Sequence, residues 1–299
     1  MIDFQLAHTI TFNDGRKIPQ MGLGVWKEDN ATAKKSVELA LHAGYKMIDT
    51  AKQYGNEAGV GAGLKSGLKA NDLQRSDVFV TTKIFNGDQG YQSTLDNFKK
   101  SLQHLQLDYV DLLLIHWPVD HKYKDTWRAL EDLQRQGLAK SIGVSNFDEA
   151  RLKDLLSDAK VVPVVNQLEF NPLNQQKKIR TMMADLNIRL EAWSPLGGGA
   201  ALNNPVIVQL AQKYHKTPAQ VILRWDIQQQ VITIPKSTHE KRMVENSEID
   251  DFMLTDADMK AIAALDQEKK SLWYDAFKWH NPKIPEYDTV HPWPDSPKD

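Results

Sequence analysis

Four side chains in this sequence could together protonate a carbonyl oxygen: Asp49, Tyr54, Lys83 and His116. A phenol titrates near ~10, too high to give up its proton readily at neutral pH. A lysine ammonium beside it favours the phenolate and is expected to lower that value. Asp49 would keep Lys83 charged and aimed, and a ring N–H of His116 would hold the carbonyl oxygen against the Tyr54 hydroxyl. Such a set protonates an oxygen as negative charge develops on it. The electrons must come from elsewhere, because no protein side chain supplies hydride. Taken singly, each residue has a plainer reading. A lone histidine at a strand end usually has a structural partner, an aspartate before a loop usually caps, and a lysine there usually points to solvent.

The elements that position these residues decide between the readings. After a β-hairpin around Asn13-Asp14-Gly15, apolar strands alternate with amphipathic helices. The strands lie in GLGVW, YKMIDT, DVFVTTKIF, VDLLLIHWP, KSIGVSNF, VPVVNQLEF, IRLEAWSPL and VITIPKS. They are apolar on both faces, as parallel strands buried on both sides must be. No dinucleotide fingerprint follows the first strand: Gly22 and Gly24 lead into Val25-Trp26-Lys27 without a third glycine. The alternation therefore predicts an α/β fold, a (β/α)8 TIM barrel with an N-terminal hairpin and an irregular, proline-rich C-terminal tail. Residues 1–299 read as one domain, with 271–299 able to lie over the substrate pocket. Successive strands then end at Trp26, Asp49, Lys83, His116, Ser145-Asn146, Asn166-Gln167, Trp193-Ser194 and Lys236-Ser237. In a parallel barrel those ends share one rim, where active sites form. Their joint appearance there favours chemistry.

The remaining rim residues read as a seat for a hydride carrier. Trp193 offers a flat face for a nicotinamide ring, and Ser145, Asn146 and Gln167 can fix its carboxamide. Three glycines in LGGGAALNN let backbone N–H groups approach a pyrophosphate. In IPKSTHEKRMVEN, the Ser237–Glu240 spacing predicts a capping box opening a helix. Lys236 and Arg242 flank that helix start, which suits an adenosine 2′-phosphate. Glu245 and Asn246 could hold the adenine amine.

The stretches MIDTAKQYGNE, VTTKIF, LLLIHWP, GVSNF, VVNQLEFNP, WSPL and IPKSTHEKRMVEN resemble the aldo-keto reductase family in residue and order. The resemblance implies NADPH (NADP+) bound in an extended form, and a tetrad of Asp49, Tyr54, Lys83 and His116 with Tyr54 as general acid. It also implies cofactor contacts at Trp26, Asp49, Ser145, Asn146, Gln167, Trp193, Ser194, Leu196, Lys236, Ser237, Arg242, Glu245 and Asn246. Val25 stands where many members have Thr. Trp193 stands where many have Tyr, as in bacterial members similar to 2,5-diketo-D-gluconate reductase. The implied reaction reduces small aldehydes and ketones, with Trp26, Phe85 and Trp117 walling the substrate side. An NADPH-binding sensor or accessory subunit is the non-catalytic alternative.

Composition narrows the field further. The 299 residues carry a net charge of −2 and no cysteine. Disulfides, thiolate zinc sites and cysteine nucleophiles are thereby excluded. A broad basic surface for nucleic acid is not expected. The nine histidines form no His-x-His or His-x-x-x-His pair, so a metal hydrolase is a poor reading. A Schiff-base role for Lys83 is opposed by its expected ion pair with Asp49. Neither a signal peptide nor a membrane span is recognisable, and a cytoplasmic monomer acting on a small carbonyl compound is the expectation.

Overall fold

Two short strands, β1 (Thr9–Thr11) and β2 (Lys17–Pro19), pair antiparallel in the computed structural model, which describes residues 8–268. The turn between them holds Gly15 at φ +83°, a left-handed conformation that glycine adopts freely. Asp14 accepts a hydrogen bond from Ser141 at 2.6 Å, tying the turn to the larger sheet. The segment 271–299, read as a tail able to cover the pocket, lies outside the described residues.

The larger sheet has eight strands among the described residues, all parallel and paired in chain order. They are β3 (Leu23–Gly24), β4 (Met47–Asp49), β5 (Phe79–Ile84) and β6 (Val110–Ile115). Then come β7 (Ala139–Ser145), β8 (Val165–Glu169), β9 (Arg189–Trp193) and β10 (Ile232–Thr233). One helix fills each crossover from α1 (Asn30–His42) through α2 (Glu57–Ala70) to α3 (Tyr91–Leu105). The pattern continues with α4 (Tyr123–Arg135), α5 (Glu149–Leu156) and α6 (Lys177–Asp185). Two helices, α7 (Pro205–Tyr214) and α8 (Pro218–Gln228), precede β10. After it stand α9 (Glu240–Ser247) and α10 (Asp256–Ala263). The sheet closes where Met21 bridges Thr233 and the Gly22 N–H donates to the Thr233 carbonyl at 3.0 Å. This is the expected (β/α)8 barrel. Its seam strands are shorter than their sequence patterns suggested, because ladder pairing there is confined to a few backbone groups.

Apolar residues form two layers. Inside the barrel, Met47, Leu112, Leu114, Val165 and Ile232 pack with Ile10, Phe12 and Ile18 of the hairpin, which plugs the amino-terminal end. Between sheet and helices lies the larger core, with Phe98 of α3 and Trp127 of α4 fully packed within it. The carboxyl-terminal end of the barrel is left for polar groups.

Helix α2 shows why its sequence is rich in glycine. A Cβ at Gly59 would lie 2.2 Å from the Asn30 carbonyl oxygen, and one at Gly61 would lie 2.3 Å from that of Leu105. Both helices meeting α2 therefore approach it at backbone distance. Gly59→Ala is expected to lower stability by about 1–3 kcal/mol through forced separation of α1 and α2. A urea midpoint equal to that of the parent would show that the helices can part without loss.

Candidate active site

The strand ends deliver the four acid–base candidates to one spot. Asp49 is the last residue of β4, Lys83 stands near the end of β5, and His116 follows β6 directly. Lys83 Nζ donates to Asp49 Oδ1 at 2.6 Å and to the Thr50 carbonyl at 3.0 Å, with both charged side chains buried. It also reaches the Tyr54 hydroxyl at 3.5 Å. Gln167 of β8 donates to the second Asp49 oxygen at 2.9 Å, so the carboxylate is held from both sides. The Tyr54 and His116 rings meet edge to face, their centroids 5.7 Å apart.

Tyr54 belongs to no strand, and its placement needs a separate device. It ends a short 3-10 turn, Lys52–Tyr54, after which Gly55 adopts φ +67°. Buried Asn56 then pins the turn. Its amide donates to the carbonyls of Val25 at 2.9 Å and Glu28 at 3.0 Å, while Thr50 donates to its Oδ1 at 2.8 Å. Asn56 and Thr50 are thus positioning residues that the sequence reading passed over. The Gly-Asn pair just before a helix was the available signal.

Electrostatics bear out part of the expectation and correct the rest. Burial pulls the Lys83 ammonium down, but Asp49 and Tyr54 together outweigh it, and its pKa is raised. His116 is held well below its usual range by burial and by Lys83, so its ring is neutral at physiological pH. The lowered Tyr54 pKa expected from sequence is not what the site produces. Burial pushes the phenol up to about 12, and the downward pull of Lys83 is the smaller effect.

A cleft of about 320 Å³ opens above these residues. Tyr54, His116, Trp26 and Trp117 line one part of it, and Ser145, Asn146, Gln167, Trp193, Ser194 and Leu196 another. The indole N–H of Trp193 donates to Asn146 Oδ1 at 2.9 Å, and the Asn146 amide donates to the His116 carbonyl at 3.0 Å. Ser145 donates to the Gln167 carbonyl at 2.9 Å. The flat indole wall is therefore locked by the same network that frames His116. Gly198 and Gly199 adopt φ +60° and +94°, with open space where a Cβ would stand. Lys236 also lines the cleft.

Not every named residue reaches the cleft wall. Phe85, expected on the substrate side, is not among the lining residues. Ser237, Arg242, Glu245 and Asn246 lie beyond Lys236, on the loop after β10 and on α9. The predicted Ser237–Glu240 capping box does not form. His239 is the N-cap of α9, and Glu240 occupies the first helical position rather than the third. The Ser237 hydroxyl instead accepts from the His239 N–H at 3.1 Å. With no capping side chain, the N–H groups of Glu240 and Lys241 open α9 near Lys236 and Arg242 in the chain, whereas those of Arg242 and Met243 donate to the His239 carbonyl at 3.1 Å. Among the described residues no three His, Asp or Glu side chains cluster as metal ligands, and no helix is long and apolar enough to cross a membrane.

Comparison with known proteins adds independent findings. The model of the Aldo/keto reductase family matches residues 20–267. The chain is 50% identical over 266 residues to glyoxal reductase of Bacillus subtilis, covering 89% of this chain and 95% of that protein. A crystal structure of an aldo/keto reductase from Brucella melitensis is 47% identical, with a TM-score of 0.83 over 87% of this chain and 98% of that one. A variant of Gox0644 solved in complex with NADPH is 42% identical, with a TM-score of 0.82 over 87% and 93% of the two chains.

Proposed function

This chain belongs to the aldo/keto reductase family, and on that premise we propose that it is an NADPH-dependent reductase of small aldehydes and ketones with Tyr54 as general acid. One arrangement carries the reading. The Tyr54 hydroxyl stands 3.5 Å from an ammonium that is itself locked in a buried ion pair, at the floor of an aromatic-walled cleft. The donor set fits a nicotinamide dinucleotide phosphate. It comprises a half-exposed indole face at Trp193, polar groups at Ser145, Asn146 and Gln167, and a glycine turn with open space above it. The N–H groups of Glu240 and Lys241, near two cations in the chain, suit the 2′-phosphate.

When bound, the nicotinamide supplies the hydride. The chain's own residues do the rest. A carbonyl oxygen lodges between the Tyr54 hydroxyl and the neutral His116 ring, whose N–H fixes its direction. As charge grows on that oxygen, Tyr54 releases its proton to it. The phenolate left behind faces the Lys83 ammonium, which stabilises it inside a site of low polarity. Asp49 keeps that ammonium charged and pointed, and Gln167 keeps Asp49 in place. Trp26 and Trp117 exclude water from the substrate side.

The similarity to a protein named glyoxal reductase makes small dicarbonyl aldehydes the first substrates to try. NADPH oxidation with glyoxal, methylglyoxal and simple aldehydes is the direct assay. No oxidation above background across that panel would refute the reductase reading. Lys236 and Arg242 are assigned to the 2′-phosphate, and replacing either with Ala is expected to weaken NADPH by about 1.5–3 kcal/mol, the worth of one charged hydrogen bond. NADH affinity should stay nearly constant, as read by quenching of tryptophan fluorescence. Equal losses for both cofactors would remove the assignment.

A further inference from the structure

Two residues before Trp193 on β9, Glu191 is fully buried, at 0% exposure. Side chains two apart on a strand share a face, and Glu191 stands in register with Gln167 of β8, whose amide holds Asp49. Its carboxyl therefore points into the barrel interior beneath the cleft. Neither oxygen meets strict hydrogen-bond geometry with a partner, and the nearby Gln167 amide, committed to Asp49, gives it only a small downward pull. The charged and titratable groups that face it are Asp49 from β4, Lys83 from β5 and Tyr54 from the turn after β4. The strands on either side contribute Gln167, which offers a weak dipole, and the uncharged Ile232.

This interior holds two carboxyls and one ammonium. If both carboxyls were ionised it would carry a net negative charge, which a buried site of low polarity disfavours. If Glu191 keeps its proton, Asp49 and Lys83 neutralise each other. We propose that Glu191 is a positioning residue that stands as a neutral acid beneath the Tyr54 site, and that its ionisation slows carbonyl reduction by opposing the charge that Tyr54 must acquire. The inference rests on Tyr54 being the general acid. Burial and Asp49 push the Glu191 carboxyl up to about 8, against the downward pull of Lys83. The sign is then fixed. Below that pH the carboxyl is neutral and Tyr54 can become phenolate opposite Lys83 alone. Above it, a second negative charge faces the same phenolate, and proton release becomes harder.

The experiment is a single-turnover measurement of NADPH oxidation by methylglyoxal between pH 6 and 10, on the full chain and on Glu191→Gln. The parent is expected to fall about three- to tenfold to a lower plateau as one buried charge appears in the same barrel interior. Glu191→Gln, which mimics the neutral acid, should stay flat over that range with neutral-pH turnover retained. Superimposable profiles would overturn the proposal. Should Glu191→Gln fail to fold, Glu191→Met offers similar volume without charge, and the same two outcomes decide. A carboxyl carbon resonance from labelled glutamate, absent from the variant, should titrate above pH 7 in the parent; titration below pH 6 would also overturn it. Tyr54→Phe separates the two readings. If that variant still turned over, the general-acid reading would fail while the resonance would still report the state of Glu191.

Discussion

Tyr54→Phe is expected to lower carbonyl reduction by about 10²–10⁴-fold, the range measured for removal of a positioned general acid. NADPH affinity should change by less than about twofold, because the phenol is not among the groups assigned to the cofactor. The ring itself is retained, so its edge-to-face contact with His116 and the pinning of its turn by Asn56 should survive. Only the proton and one partner of Lys83 are lost. The separation of effects is the informative part. A general acid acts on the chemical step, so turnover at saturating substrate should fall while the fluorescence titration of NADPH is unmoved. If turnover stayed within threefold of the parent, the proton would have to reach the carbonyl oxygen from another group, and neutral His116 would be the next candidate. The alkaline limb carries a second check. A phenol held near 12 stays protonated through pH 10, so any decline below that pH must come from another ionisation.

Most of this site could be read from sequence because parallel strands advertise themselves. Buried on both faces, they form apolar runs, and whatever polar residue ends such a run stands at the rim. That logic picks out Asp49, His116, Ser145, Gln167 and Trp193, which line one cleft, and Lys83, which is buried against Asp49. It failed where placement depends on depth or on loop geometry. Sequence identifies Lys83 as a neighbour of Tyr54 but not how far the phenol is withdrawn from water, and withdrawal is the larger effect. Ser237 and Glu240 have the spacing of a capping box, yet the chain between them runs on past the barrel and turns helical only after His239. Phe85 follows β5, opens the short turn Asn86–Asp88 and is not among the residues that line the cleft. Glu191 was legible in principle. If Trp193 faces inward, strand parity turns Glu191 inward too, and a carboxylate inside a barrel requires an account.

The buried ion pair gives the second large effect, and it tests the electrostatic frame rather than the proton donor. Lys83→Met removes the ammonium and leaves Asp49 inside the barrel with only the Gln167 amide and no cation. Breaking one side of a buried pair is expected to destabilise the fold by about 3–5 kcal/mol, chiefly through the abandoned charge. Reduction should be lost as well, since no cation remains to receive the phenolate. Adding Asp49→Asn to Lys83→Met should then recover most of the stability and none of the activity, because the amide needs no counter-charge. Urea midpoints for the four members of that cycle would measure the coupling directly. The pH dependence has a definite sign. Lys83 binds its proton more tightly in the folded chain than in the unfolded one. Its contribution is therefore complete below the unfolded value of about 10.4 and fades as pH rises through the folded one. The share of stability that belongs to Lys83 should be lost only at strongly alkaline pH, and the double variant should lack that loss. If Lys83→Met were as stable as the parent, the ion pair would contribute nothing to the fold, and the cation would not be held for catalysis in the way the pair implies.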